Sequence, residues 1–242
     1  MTLGSGSVRG CSTMGILRFT VITRESREPL DAALERLVIA GWTGRDRVAL
    51  EAHIQELGKL GIPRPKSTPL FYRTSRDLLT GAPSIQVVGA ASSGEVEPVL
   101  LSLSDGLHLG VGSDHTDRKL ETLGVTVSKQ MCAKPLGGEL WRFEEVAEHW
   151  DRLLMRSFAI VGHERRLYQE GALEKLRHPA DLIGLYLGQG QALPVGTVMF
   201  CGTLPVHGEV QPADAYELEL EDPVLGRRIC HRYAVDTLPI EG

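Results

Sequence analysis

Apolar and polar positions alternate along most of this chain, and the alternation predicts strands. Leu17–Thr23 (Leu-Arg-Phe-Thr-Val-Ile-Thr) is period-two and rich in β-branched residues. Shorter runs at Leu37–Ala40, Leu70–Tyr72, Ile85–Val88, Glu97–Leu103 and Leu107–Val111 predict further strands. So do Arg156–Val161, Thr197–Phe200, Tyr216–Glu221 and Arg227–Tyr233. Ser104-Asp105-Gly106 is a hairpin-turn signal between two of these runs. Helical spacing is confined to a few places. Arg47–Leu60 sets Leu50, Ile54 and Leu57 on one stripe, and Gly61 with Pro63 ends it. Glu144–Leu154 and Ala180–Leu187 are predicted as shorter helices, Ile62–Pro69 as a proline-rich connector, and Tyr168-Gln169-Glu170-Gly171 as a turn. Many strands, few helices and no βαβ alternation predict an α+β fold around a mostly β core.

Composition narrows the picture only slightly. The 242 residues are 42% apolar and 24% charged, with a net charge of −5, enough for one large domain or two small ones. Mild negative charge and the lack of basic runs give no sign of a nucleic-acid partner. No apolar stretch approaches the length of a membrane span. Met1–Thr13 is rich in Gly and Ser without an apolar core, and reads as a disordered extension or cloning remnant. Residues 14–36 read as an N-terminal strand and lead-in. Cys11, Cys132, Cys201 and Cys230 are scattered, which predicts neither a zinc site nor a disulfide framework and fits a reducing, cytoplasmic setting.

The candidate chemistry begins with Glu95-Val96-Glu97. Two carboxylates separated by one residue lie on one face of a strand. Asp114 follows the next apolar run, in Gly112-Ser113-Asp114-His115-Thr116-Asp117-Arg118. Three carboxylates on neighbouring strands make an all-oxygen donor set suited to Mg2+ or Mn2+, with Ca2+ a further candidate. His53 and Glu56, three apart on the first helix, share a face, and a carboxylate beside an imidazole makes it a better base. A solvated helix face is the plainer account of that pair, and a surface position is the plainer account of Lys129. Gly202-Thr203 follows the Val198–Cys201 run, offering close backbone approach and a hydroxyl, or only a turn. Gly110-Val111-Gly112 and Gly188-Gln189-Gly190 are too short for dinucleotide fingerprints.

Taken in order, H-x-x-E, E-x-E, G-x-D-x-T-x-R, a lysine and a late G-T-x-P resemble the fumarylacetoacetate hydrolase superfamily. The resemblance spans about residues 37–210 and is strongest to a bacterial branch designated DUF2848, a domain of unknown function. It implies a mixed β-sandwich roll over 37–242, commonly a homodimer. It further implies Mg2+ or Mn2+ held by Glu95, Glu97 and Asp114, His53 as base oriented by Glu56, and Lys129 facing an oxyanion. Thr203, Gly202, Arg118 and Glu121 are implied substrate contacts. The implied activity is C–C bond hydrolysis of an acylpyruvate or similar β-dicarbonyl or 2-oxo acid. Decarboxylation, hydration or isomerisation is the same-class alternative, and a non-catalytic ligand-binding member the other. His115 and Asp117 are unusual beside Asp114, where they adjust the metal site or only cap a turn, and the chain departs from the pattern in three further places. The segment from Glu97 to Asp114 is too short for the usual helix, Glu121 stands where many members carry glutamine, and the Gly41–Arg45 segment with Trp42 is spaced differently.

Overall fold

The computed structural model describes residues 15–241, so the extension read over Met1–Thr13, with Cys11, lies outside the described residues. Its main strands are β1 (Ile16–Ile22), β2 (Arg27–Ala33), β3 (Arg36–Gly41), β4 (Leu70–Thr74), β5 (Ser84–Val88), β6 (Val96–Leu103) and β7 (Gly106–Ser113). They continue with β8 (Glu139–Arg142), β9 (Leu154–Val161), β10 (Glu164–Ala172), β11 (Thr197–Phe200), β12 (Ala215–Asp222) and β13 (Arg227–Leu238). The α-helices are α1 (Arg47–Lys59), α2 (Val125–Gln130) and α3 (Pro179–Leu187).

Two mixed sheets carry the fold. The larger has eight strands in the order β2-β1-β8-β7-β6-β11-β3-β4, and the smaller has five in the order β10-β9-β12-β13-β5. One core lies between them, where Val38, Leu100, Leu109 and Met199 of the large sheet meet Met155, Leu218, Leu220 and Ile229 of the small one. A second core gathers Phe19 and Ala32 from one edge of the large sheet, Val99 and Leu101 from its middle, and Leu37 and Tyr72 from its other edge. Edge and centre share one cluster because the large sheet curls into a roll. Every residue of β6 is therefore buried, with Leu100 on one face and Val99 and Leu101 on the other. Burial on both faces is what its continuous apolar sequence records.

Two sequence expectations are corrected. Glu144–Leu154 is no α-helix: it forms 3₁₀ turns at Phe143–Glu145 and Ala147–Arg152, broken by non-helical His149, and Leu154 already opens β9. No side chain caps either turn, and the His149 imidazole instead reaches Asp222 across the fold, Nε2 to Oδ1 3.0 Å. Tyr168–Gly171 is no turn but the middle of β10. Ser157 pairs with Gln169 while Phe158 pairs with Leu167, so Tyr168 is an extra residue in a β-bulge. The bulge lets two consecutive side chains, Tyr168 and Gln169, both point inward and hides the period-two signal. The hairpin at Ser104-Asp105 and the helix over 47–60 form as expected, the latter ending at Lys59.

Candidate metal centre

The β6–β7 hairpin builds the centre. Its register runs from Val96↔Ser113 to Leu103↔Gly106, and the Asp114 N–H continues it by donating to Glu95 O at 3.0 Å. Strand alternation then turns Glu95, Glu97 and Asp114 to a common point, where one oxygen from each lies within 4.8 Å of the others. Gly112 is required here, since a Cβ would come within 2.9 Å of both Phe200 Cε1 and Pro135 O. The centre thus assembles the three carboxylates singled out by spacing, and among the described residues it is the one such His, Cys, Asp or Glu cluster.

Charge is compensated unevenly across the three. Asp114 is fully buried and carries two ammonium groups: Lys129 Nζ on Oδ2 and Lys134 Nζ 3.1 Å from Oδ1. Burial alone would raise its pKa, but the two lysines outweigh that and hold the carboxyl well below its usual range. Glu97 shifts the other way. Burial and the Asp114 charge push it well above the ordinary glutamate value, and the Gly202 N–H donates to its Oε2 at 2.7 Å. Burial also draws down the ammonium of Lys134, whereas the surrounding carboxylates outweigh burial at Lys129 and raise it. A buried carboxyl short of positive charge, with two carboxylate oxygens close by, is the donor set a hard divalent cation satisfies.

The other expected site residues fall into two groups. Arg118 is spent on the protein: Nε donates to Ser93 Oγ at 2.6 Å, Nη2 lies 3.2 Å from Glu95, and Nη1 lies 3.2 Å from Glu121. Burial raises the Glu121 pKa, and Arg118 partly offsets this. The Thr203 hydroxyl donates to Val96 O at 2.7 Å and accepts from Gln169 Nε2 at 2.7 Å. Gly202, at φ +101°, turns here because any Cβ would strike the Thr43 hydroxyl. His53 lies apart from this network. Its side chain is 58% exposed, and Glu56 stands 3.9 Å away, beyond hydrogen-bond distance. A relay of contacts links it to the centre. The Trp42 ring lies 6.0 Å from His53, Trp42 Nε1 donates to Tyr72 Oη at 3.1 Å, and Lys129 Nζ sits 5.6 Å over the Tyr72 ring.

Sequence reasoning missed Lys134, Gln169 and Trp42. Lys134 precedes Pro135-Leu136-Gly137-Gly138, a run that signals only a turn. Trp42 has φ +63°, costly for a bulky residue and unreadable from local sequence.

A family described as "Protein of unknown function (DUF2848)" matches residues 40–233, a span that includes every residue of the centre. The chain belongs to the DUF2848 family. No curated protein sequence matches it. Among solved structures this DUF2848 chain is similar to an Oleispira antarctica protein provisionally named a fumarylacetoacetate isomerase/hydrolase. That similarity has a TM-score of 0.64 and 16% identity, covering 90% of this chain and 98% of that one. It is also similar to yeast ynq8, a fumarylacetoacetate hydrolase family protein, with a TM-score of 0.60 and 17% identity over 86% and 95% of the two chains. A 2-keto-3-deoxyarabinonate dehydratase is similar at a TM-score of 0.59 and 16% identity, over 86% and 74%. These likenesses establish the fumarylacetoacetate hydrolase fold for the DUF2848 chain, as its motif order implies. Among the described residues, no helix is long and apolar enough to cross a membrane.

Proposed function

We propose that this DUF2848 protein is a divalent-metal-dependent hydrolase that cleaves a C–C bond in an acylpyruvate or a similar β-dicarbonyl or 2-oxo acid. The observation carrying this reading is the convergence of three carboxylate oxygens beside the Lys129 ammonium. Glu95, Glu97 and Asp114 hold Mg2+ or Mn2+. The bound ion supplies Lewis-acid charge against substrate oxygens.

The chain's own residues do the rest. His53 takes a proton from water, whose oxygen adds to the distal carbonyl carbon, with Glu56 on the same helix face supplying negative charge rather than a hydrogen bond. Lys129 faces the negative charge that develops on that carbonyl oxygen. The C–C bond then breaks, its electron pair going to the enolate, which takes up the proton that His53 removed. Arg118 keeps Glu95 in place, and Thr203 faces the substrate from the Gly202 turn. The second reading is decarboxylation, hydration or isomerisation of a related oxo acid by the same centre, and a dehydratase among the similar folds favours the hydration–dehydration form of it.

The test is a panel of acylpyruvates and other 2-oxo acids assayed with Mg2+ and Mn2+. Chelation with EDTA abolishes turnover, and either ion restores it. His53→Ala lowers kcat by about 10²–10⁴-fold while Mn2+ affinity stays at the wild-type value. Full activity in His53→Ala would remove the base assignment, and EDTA-resistant turnover would remove the metal.

A further inference from the structure

The bulge in β10 delivers one amide to a junction that the proposed chemistry depends on. Gln169 is fully buried, and its side chain meets four partners. Its Oε1 accepts from the Val96 N–H at 3.0 Å and from Ser157 Oγ at 2.9 Å. Its Nε2 donates to Thr203 Oγ1 at 2.7 Å and to Leu204 O at 2.6 Å. Two donors and two acceptor sites are a primary amide's whole capacity, so its orientation is fixed: the Val96 N–H needs the oxygen, and the Leu204 carbonyl needs the nitrogen. The Thr203 hydroxyl closes the loop by donating back to Val96 O.

Val96 is the residue between Glu95 and Glu97. The amide therefore grips the peptide units that set the two glutamates' directions and, with its other end, the turn whose Gly202 N–H holds Glu97. β6 and the residues after β11 are separated by about a hundred positions in sequence, and Gln169 belongs to the other sheet. One side chain thus couples both sheets at the carboxylates. It hydrogen-bonds to none of the three carboxylates itself.

We propose that Gln169 is a positioning residue that fixes the Glu95–Glu97 geometry and the placement of Thr203. This rests on the metal reading above. It also limits Thr203: with its hydroxyl hydrogen committed to Val96 O, that side chain has no hydrogen to donate to a substrate.

The experiment measures Mn2+ binding to the full chain by titration calorimetry, together with the Mn2+ EPR line shape. Gln169→Met keeps the length and removes all four bonds. Its expected result is Mn2+ affinity weakened by roughly tenfold or more, with a changed line shape, because the Val96 peptide loses its fixed partner. Gln169→Glu, protonated when buried, keeps the acceptor for Val96 and one donor, and returns affinity to within about threefold of wild type. If Gln169→Met does not fold, Thr203→Val cuts the same loop from the other side and is expected to weaken Mn2+ in the same direction. Wild-type affinity and line shape in a folded Gln169→Met, or in Thr203→Val, overturn the positioning role alone. No Mn2+ binding by the wild-type chain overturns the metal reading and this inference with it.

Discussion

Asp114 and His53 are held in opposite ways although the proposed reaction needs both. Asp114 follows a strand whose last six residues are buried, and its carboxylate is fixed by two ammonium groups. His53 stands on α1, where Ile54 is the one fully buried residue and ion pairs such as Arg64–Glu51 lie on the exposed surface. The difference separates two requirements. Ligands for a cation must stay fixed while charge is compensated around them. A base that serves water needs solvent access, and a lightly anchored helix supplies it at little cost to the core.

Substitutions can break that contrast, and the largest effect is expected at Asp114. Asp114→Ala leaves Lys129 and Lys134 buried without their shared counter-charge, so stability falls by about 3–5 kcal/mol. Urea denaturation checks this, and a midpoint unchanged from wild type would show that the two regions are not differently anchored. Ile54→Ala comes next. It costs α1 about 2 kcal/mol or more, raising amide exchange across 47–59 roughly 30-fold, while β6 and β7 keep their protection. Equal loss of protection in β6 would make α1 part of the frame. The smallest effect is at the helix start, where Asp46 Oδ1 accepts from the Val48 N–H at 2.8 Å and the Ala49 N–H at 3.1 Å. Asp46→Ala costs about 1 kcal/mol, again confined to exchange in α1.

The same contrast explains what was legible in the sequence. Glu95, Glu97 and Asp114 could be found because a hairpin converts spacing directly into direction, and the Ser104-Asp105 turn fixes its register. α1 could be found from the stripe at Leu50, Ile54 and Leu57, even though only Ile54 is fully covered. Gln169 was hidden because a bulge puts neighbours on one face and cancels alternation. Lys134 was hidden because its partner lies twenty residues back and its burial depends on tertiary packing. β2, Arg-Glu-Pro-Leu-Asp-Ala-Ala, is an edge strand with Pro29 and charged residues, a composition that reads as loop and that protects an exposed edge from further pairing.

The tight link between β6 and β7 has an outcome for how the molecule comes together. All three oxygen donors belong to one hairpin closed by two residues, so bringing them together costs little loop-closure entropy and involves only neighbours in the chain. Lys134 comes from just beyond that hairpin, whereas Gln169 and Thr203 arrive only when distant segments dock. The three carboxylates are therefore joined by contacts of low sequence separation, whereas Gln169 and Thr203 reach them from far along the chain.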